Sequence, residues 1–200
     1  QFRNEGFFFP VPLLSGSEVS EIRGQLEAFE AEQGHPLEGG QRSNAHLLFP
    51  WLDSLVRYPK ILDVVEDLVG PDILCWGSIF WTKETRSASF VSWHQDITYW
   101  GLTDGNVVNV WVALSPANEI SGCMSVLPGS HLQPPLPHVD LYHEDNMLTR
   151  GQEIAGGRNL AVEELKYDDE DAPESVVFDK DTMPDDDLLG TALWTMEDFQ

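Results

Sequence analysis

The sequence predicts an α+β protein, mainly β, in which N-terminal helices pack on one face of an antiparallel sandwich or barrel. The clear helix signals lie in the first 71 residues, and from residue 72 onward short runs of strand formers are separated by turn residues. Helices followed by a run of strands favour α+β organisation over alternating βαβ units. Several short strands at close spacing are typical of a sandwich or barrel. Hydrophobic residues make up 42% of the 200 residues, enough for the core of one domain.

Two helices are signalled before residue 71. Ser15 and Glu18 match the capping box S-x-x-E. Apolar residues then recur at the helical spacings of three and four: Val19, Ile22, Leu26 and Phe29. Gly34 is placed to end this helix. The second helix is predicted to begin at Pro59, a good first-turn residue, and to stop at Gly70.

Short strands are predicted wherever β-branched and aromatic residues cluster. The predicted strands are residues 73–76, 79–82, 90–93, 107–114 and 124–127. The whole chain, residues 1–200, is predicted to be one domain. It divides into a helical part, 1–71, a β core, 72–131, a long loop or lid, 132–160, and an acidic segment, 161–200. Within the acidic segment, residues 176–178 favour a strand, and residues 188–196 favour a strand or a short helix.

The formal net charge of −23 excludes several classes of partner. Nucleic-acid binding needs a basic footprint, and anionic membranes repel an acidic surface. Residues 161–200 alone contain fourteen Asp or Glu and two Lys. This segment is either a solvated acidic surface or a docking segment for a basic partner.

The cysteines and the apolar runs indicate a cytoplasmic protein. Cys75 and Cys123 are not in a CxxC pattern, so free thiols in a reducing compartment are favoured over a disulfide. No apolar run approaches the roughly 20 residues that span a bilayer, and no signal peptide is visible. The sequence does not begin with Met, so a removed leader is an open alternative.

The sharpest chemical feature is residues 92–96, SWHQD, directly after a short apolar strand. Residues i and i+2 of an extended strand point to the same face, so His94 and Asp96 can direct an imidazole and a carboxylate at one point. These groups are two of the three ligands of the 2-His-1-carboxylate triad, which binds non-haem Fe(II) and leaves positions open. A surface histidine beside a turn aspartate is the alternative. It is disfavoured by the neighbouring aromatic residues Trp93, Tyr99 and Trp100.

Two stretches of the sequence carry motifs that follow each other in a recognisable order. They are residues 90–102, FVSWHQDITYWGL, and residues 109–131, NVWVALSPANEISGCMSVLPGSH. The second contains a Trp-bearing strand, a polar turn, a Gly-Cys pair, a hydrophobic strand and a PGSH turn. In order and spacing the two stretches resemble the phytanoyl-CoA dioxygenase family, and the resemblance covers roughly residues 5–155.

The resemblance implies a double-stranded β-helix, also called a jelly roll or cupin-like fold. It implies an Fe(II)- and 2-oxoglutarate-dependent dioxygenase that hydroxylates a small organic substrate, with His94 and Asp96 as metal ligands. It also implies that Gln95 and Trp111 lie near 2-oxoglutarate. A regular strand would point Gln95 away from its neighbours, so the strand must end or twist there, and Trp111 fits a core aromatic equally well. Related halogenases have a small residue in place of the carboxylate, so Asp96 favours hydroxylation.

The resemblance also implies a distal His and, about ten residues later, an Arg that holds 2-oxoglutarate. The last His here is His143 and the last Arg is Arg158, and residues 156–200 do not resemble the family. Three explanations are open: a truncated or altered chain, a variant that recruits another histidine, or a non-catalytic relative. The histidines available for recruitment are His131, His138 and His143. Arg150 fits either an anion-binding residue or a loop ion pair.

Two functions therefore compete. The first is a dioxygenase acting on a small molecule. The second is a jelly-roll binding protein without turnover, which uses its aromatic pocket or its acidic end. If the late strands of the sheet are lost, open edges remain, and these invite pairing with a second copy in a homodimer.

Overall fold

Helices from the first 69 residues cover one face of an antiparallel β-sheet. The computed structural model describes residues 1–83, 86–101, 107–118, 121, 123–155, 163–164, 175–179 and 191–198. The helices are α1 (Phe2–Glu5), α2 (Gly16–Gln33), α3 (Pro50–Val56), α4 (Pro59–Val69) and α5 (Ile97–Trp100). The strands are β1 (Phe7–Pro12), β2 (Ile73–Trp81), β3 (Val107–Ala113), β4 (Ser125–Val126), β5 (His138–Asp140), β6 (Gln152–Ile154), β7 (Glu163–Glu164), β8 (Ser175–Asp179) and β9 (Thr191–Asp198).

The largest sheet has five strands in the order β1-β8-β3-β9-β2, and every neighbouring pair is antiparallel. Two smaller antiparallel pairs, β4 with β7 and β5 with β6, complete the described strands. The predicted mixture of early helices and later antiparallel strands is thus confirmed. Although β8 and β9 come from the acidic segment, both take interior positions in the sheet.

Both predicted long helices form with the predicted ends. The Ser15 hydroxyl caps α2 by accepting a hydrogen bond from Glu18 N at 3.3 Å, and Ser15 N donates to Glu18 Oε2 at 2.7 Å. Gly34 ends α2 in the left-handed region at φ 82°, which glycine adopts without steric cost. Pro59 begins α4, and its fixed φ suits the first helical position.

Strand β3 joins two hydrophobic cores because all seven of its residues are buried. Val108, Val110 and Val112 pack with the buried residues of α2, α3 and α4. Trp111 and Ala113 belong to the second cluster, on the opposite face, with Phe7, Trp81, Val91 and Val126. Side chains alternate along a strand, so Asn109 lies on the same face as Trp111. This second face carries the candidate site.

Three sequence predictions differ from the structure. Residues 73–76 and 79–82 form a single strand, β2, rather than two. Residues 90–93 form no regular strand, because Phe90 makes only an isolated bridge to Asn146. Residues 132–160 were predicted as a loop, yet they contain the hairpin of β5 and β6. The strands predicted near residues 176–178 and 188–196 are present as β8 and β9.

The late strands, whose loss would leave open edges, are present as β8 and β9, and both edges of the five-stranded sheet are partly protected. On the outer side of β2, Ser43 pairs with Ile79, and Phe80 N donates to Arg42 O at 2.9 Å. On the other edge, β1 contains Pro10, which has no backbone N–H for a further strand. A homodimer stays a prediction, and these features do not favour one formed by edge pairing.

Both cysteines are free thiols, as the sequence predicted. Burial raises the pKa of the Cys75 thiol to about 11, so the group stays protonated near neutral pH. Among the helices that the structure describes, none is long and apolar enough to cross a membrane.

We expect Ile61→Ala to destabilise the protein strongly, because Ile61 on α4 is fully buried in the cluster that joins the helices to the sheet. Truncating such a side chain costs about 2–5 kcal/mol in free energy of unfolding. Urea denaturation would measure the loss. Leu47→Ala is the matched control, since Leu47 is 75% exposed and surface changes usually cost less than about 0.5 kcal/mol. Equal effects of the two substitutions would contradict the packing described here.

Candidate metal centre

The chain changes direction between His94 and Asp96. Before this point, Trp93 O accepts a hydrogen bond from Ile154 N at 2.6 Å. At Asp96 the backbone is helical, with φ −62° and ψ −41°, and α5 begins at the next residue. The two side chains still converge, with His94 Nε2 3.2 Å from Asp96 Oδ1. Their convergence therefore comes from a turn rather than from the regular strand geometry that the sequence suggested.

The hydrogen bond of the His94 ring fixes its tautomer. His94 is 1% exposed, and its Nδ1 lies 2.7 Å from Ser92 O. A carbonyl oxygen only accepts, so Nδ1 must carry the proton. In a neutral ring Nε2 then presents a lone pair to the Asp96 carboxylate. Two acceptors facing each other at 3.2 Å repel, so a cation or a proton is needed between them.

The Asp96 carboxylate is held by Asn109 of strand β3, a residue that the sequence analysis did not predict to be part of the site. Asn109 Nδ2 donates a hydrogen bond to Asp96 Oδ2 at 2.8 Å. The other carboxylate oxygen, Oδ1, is the one that faces His94. The carboxylate is therefore shared between an amide donor on β3 and the imidazole.

The donor atoms of His94 and Asp96 fit a divalent metal ion. Ligand atoms about 2.0–2.2 Å from one ion and at right angles to each other lie about 3 Å apart. The observed separation is 3.2 Å. Imidazole and carboxylate are also the ligand types of non-haem Fe(II) sites. Within the part of the chain that the structure describes, no third His, Cys, Asp or Glu completes a metal-binding group.

His138 lies beside the pair but is not available as a third ligand. Its Nδ1 lies 2.7 Å from Leu136 O and so carries the ring proton, while its Nε2 accepts a hydrogen bond from Gln95 N at 2.8 Å. Both nitrogens are thus occupied by backbone groups. Burial lowers the pKa of His138, which keeps the ring neutral at pH 7.

The other two histidines proposed as alternative metal ligands, His131 and His143, make local structural contacts instead. His131 donates through Nε2 to Arg3 O at 3.0 Å, and its ring packs against Gly6 so closely that a side chain there would collide with Nδ1. His143 is exposed, and its Nδ1 accepts a hydrogen bond from Asp145 N at 3.2 Å. The explanation in which His131, His138 or His143 fills the site is not supported by these contacts.

Gln95 and Trp111 both lie next to the site without lining its cavity. Gln95 is 3% exposed, and its Oε1 accepts a hydrogen bond from Leu136 N at 2.7 Å. Trp111 is buried in the second hydrophobic cluster. Its indole N–H has no hydrogen-bond partner among the described residues. Contact of either residue with 2-oxoglutarate stays a prediction.

A cavity of about 810 Å³ opens beside the pair, within the size range of small-molecule sites. Its aromatic walls are Trp76, Phe80, Trp81, Tyr99 and Trp100, and its cations are Arg42 and Arg150. Arg150 forms an ion pair with Asp140 and lies over the Tyr99 ring at 5.6 Å. The loop ion pair predicted as one alternative for Arg150 is therefore present, at the wall of the cavity.

The comparisons with known proteins assign the chain to a family. The sequence model of the family described as phytanoyl-CoA dioxygenase matches residues 2–180. This chain belongs to the phytanoyl-CoA dioxygenase family. Membership confirms the predicted resemblance and its cofactor class, iron with 2-oxoglutarate.

Two relatives show the range of substrates within the family. A probable alpha-ketoglutarate-dependent hypophosphite dioxygenase of Stutzerimonas stutzeri is 35% identical over 104 residues, 52% of this chain and 36% of the relative. An ectoine dioxygenase of Nocardia farcinica is 29% identical over 146 residues, 65% of this chain and 49% of the relative. The chain thus matches a half or less of the length of these curated relatives.

Solved structures show the same fold. The apo non-heme monooxygenase ThoJ is 30% identical with a TM-score of 0.69, over 98% of this chain and 74% of that one. EctD from S. alaskensis, solved with 2-oxoglutarate and 5-hydroxyectoine, has a TM-score of 0.72 at 16% identity, over 98% and 73% of the chains. The mixed helix and strand architecture is therefore that of the Fe(II)/2-oxoglutarate oxygenases.

Hydrogen bonds attach the segment of the family motif to the β5–β6 region. Ser92 Oγ donates to Gln152 O at 2.5 Å and accepts from Asn146 Nδ2 at 2.6 Å. Tyr99 Oη donates to Asp140 Oδ1 at 3.4 Å, and burial with this neighbouring carboxylate raises the pKa of Tyr99. The region predicted as a loop or lid is thus hydrogen-bonded to the segment that contains His94 and Asp96.

We expect His138→Ala to lower the free energy of unfolding by about 1–3 kcal/mol, because the substitution leaves the Gln95 N–H without its acceptor. Urea denaturation measures this loss. His143→Ala is the control, since His143 is exposed and should change stability by less than about 0.5 kcal/mol. An unchanged stability in His138→Ala would show that the ring does not hold the Gln95 peptide.

Proposed function

We propose that this chain binds Fe(II) through His94 and Asp96, binds 2-oxoglutarate in the adjoining cavity, and hydroxylates a small organic substrate. The observation that carries the proposal is the approach of His94 Nε2 to Asp96 Oδ1 at 3.2 Å with the ring proton on Nδ1. That arrangement presents two electron-pair donors to one point beside a cavity of small-molecule size.

When bound, iron and 2-oxoglutarate supply the oxidising chemistry of the family, in which dioxygen is consumed and the cosubstrate becomes succinate and carbon dioxide. The chain's own residues hold the metal and shape the site. Ser92 O keeps the His94 proton on Nδ1, and Asn109 holds one oxygen of Asp96. The aromatic side chains of Trp81, Tyr99 and Trp100 line the cavity beside the pair.

Asp96 supports hydroxylation rather than halogenation as the outcome. A carboxylate at this position occupies space that a halide would otherwise take, and it offsets part of the metal charge. The Asn109 amide keeps the carboxylate facing His94. The comparisons do not name the substrate of this chain, and the relatives act on unlike molecules, so the fold does not fix what the cavity accepts.

We also infer the finer architecture of the fold. Five antiparallel strands, with β4–β7 and β5–β6 as smaller pairs, support a jelly roll whose second sheet faces Trp111 and Asn109. The cytoplasmic location and the homodimer stay predictions. The alternative of a binding protein without turnover has no support from the comparisons, although the sequence has no His after His143.

The test is an anaerobic titration of the protein with Fe(II) and 2-oxoglutarate, monitored by the weak visible charge-transfer band of the chelate. We expect a band in the native protein and none in His94→Ala or Asp96→Ala. The metal affinity of both variants should fall more than about 100-fold, since outer-shell changes alone cost about 10–100-fold. His143→Ala, at an exposed histidine outside the cavity, is the matched control and should keep the band.

Two results would count against the proposal. A folded native protein that gives no band would keep the architecture of an oxygenase without its cofactor chemistry, which is the binding-protein alternative. A band that survives in His94→Ala would place the metal elsewhere. Succinate formation above background, abolished in the same two variants, extends the test from binding to turnover.

A further inference from the structure

Asn109 is a polar residue at the centre of a buried strand. Strand β3 lies between β8 and β9, and Asn109 is 2% exposed. Its neighbours in the strand, Val108 and Val110, are fully buried. Burial of an amide without hydrogen bonds costs about 1–3 kcal/mol in proteins, so packing alone favours an apolar residue here.

One hydrogen-bond partner of Asn109 is a proposed metal ligand. Asn109 Nδ2 donates to Asp96 Oδ2 at 2.8 Å, and the contact joins the sheet to the start of α5, thirteen residues earlier in the chain. A hydrogen bond to an ionised carboxylate is roughly twice as strong as one between neutral groups.

We propose that Asn109 is a positioning residue for the metal centre. Its amide engages Asp96 Oδ2, so that the carboxylate presents Oδ1 to the point that His94 Nε2 also faces. This inference rests on the metal site proposed above. It adds that the Asn109 side chain, which belongs to the sheet, determines whether Asp96 presents one or both of its oxygens to the metal.

The need for such a residue follows from the flexibility of the aspartate side chain. The final torsion of Asp is broad and roughly two-fold, so a lone carboxylate can turn either oxygen, or both, toward a cation. A carboxylate that offers both oxygens uses a position that the cosubstrate or dioxygen requires. An amide is suited to prevent this because it donates without adding charge.

The backbone around Asn109 gives the amide a fixed place. Asn109 is in register with Asp179 of β8 and with Thr195 of β9, so its strand is paired on both sides. By contrast, Asp96 lies in a turn directly before the short helix α5. The regular strand β3 therefore orients the Asp96 side chain, which lies on a less regular segment.

The experiment measures Co(II) and Fe(II) binding and the visible spectrum of the Co(II) form in Asn109→Leu. Leu has the same branched shape and the same number of side-chain heavy atoms but no donor. We expect metal affinity to fall about 10–100-fold, the usual cost of losing an outer-shell partner. We also expect the Co(II) absorption to change in position or intensity, because Asp96 is free to present both oxygens. A purely structural role for Asn109 would leave that spectrum unchanged.

Ser78→Ala is the matched control. Ser78 is a fully buried polar residue of β2 that hydrogen-bonds His46 and does not line the cavity. We expect Ser78→Ala to lower stability while the Co(II) spectrum and affinity stay native. Asn109→Asp serves as a second variant if Asn109→Leu does not fold, because it keeps the shape and replaces the donor with an acceptor. Its Co(II) spectrum should also change.

The outcomes separate this inference from the proposed function. Native affinity and a native Co(II) spectrum in folded Asn109 variants would overturn the positioning role, while loss of metal in His94→Ala would leave the metal site standing. Native metal binding in His94→Ala itself would instead overturn the site on which both proposals depend.

Discussion

The burial of β3 on both faces is the constraint on which the rest of the structure depends. One face of the strand completes the core beneath the helices, and the other supplies Asn109 and Trp111 to the side that carries the candidate site. A strand shared by two cores cannot shift by one residue, because the shift would exchange the contents of its faces. The register of β3 therefore fixes where the Asn109 amide meets Asp96.

A second constraint is the bonding of the motif segment to the β5–β6 region. The Gln95 peptide lies between the two proposed ligands, and its N–H is held by His138 while its side chain is held by Leu136 N. The histidine thus contributes to the site through the backbone rather than through a metal bond. Because both of its ring nitrogens are already hydrogen-bonded, His138 lies near the metal site without being available to bind the metal.

Local signals explain what the sequence predicted well. The capping box at Ser15, Pro59 at a helix start and the continuous apolar run of β3 depend on neighbours in the chain, and each gave the correct element. The hairpin after residue 132 was missed because its strands have three residues each and its hydrogen-bond partners outside the hairpin lie far back in the chain, at residues 92–99. Short strands with long-range partners leave no periodicity to detect.

The candidate site was predictable only in part, for the same reason. The spacing of His94 and Asp96 predicted their convergence, although the structure achieves it by a turn at Asp96. The position of Asn109 on β3 gave no sign of its partner, since the contact depends on how the strand packs against the motif segment. A polar residue among the valines of a predicted strand was the available signal, because a buried amide requires a partner.

The charge of the chain acts differently on the two cofactors. A net charge of −23 attracts a divalent cation but opposes the approach of a dicarboxylate. Exposed charges are largely screened beyond about 8–10 Å, so the groups at the cavity dominate once an anion has arrived. There the lining includes Arg42 and Arg150 with one acidic residue, Asp96, and Arg150 is also paired with Asp140. These charges nearly balance, so the cavity is less acidic than the chain as a whole and repels an anionic cosubstrate less than the net charge of the chain would.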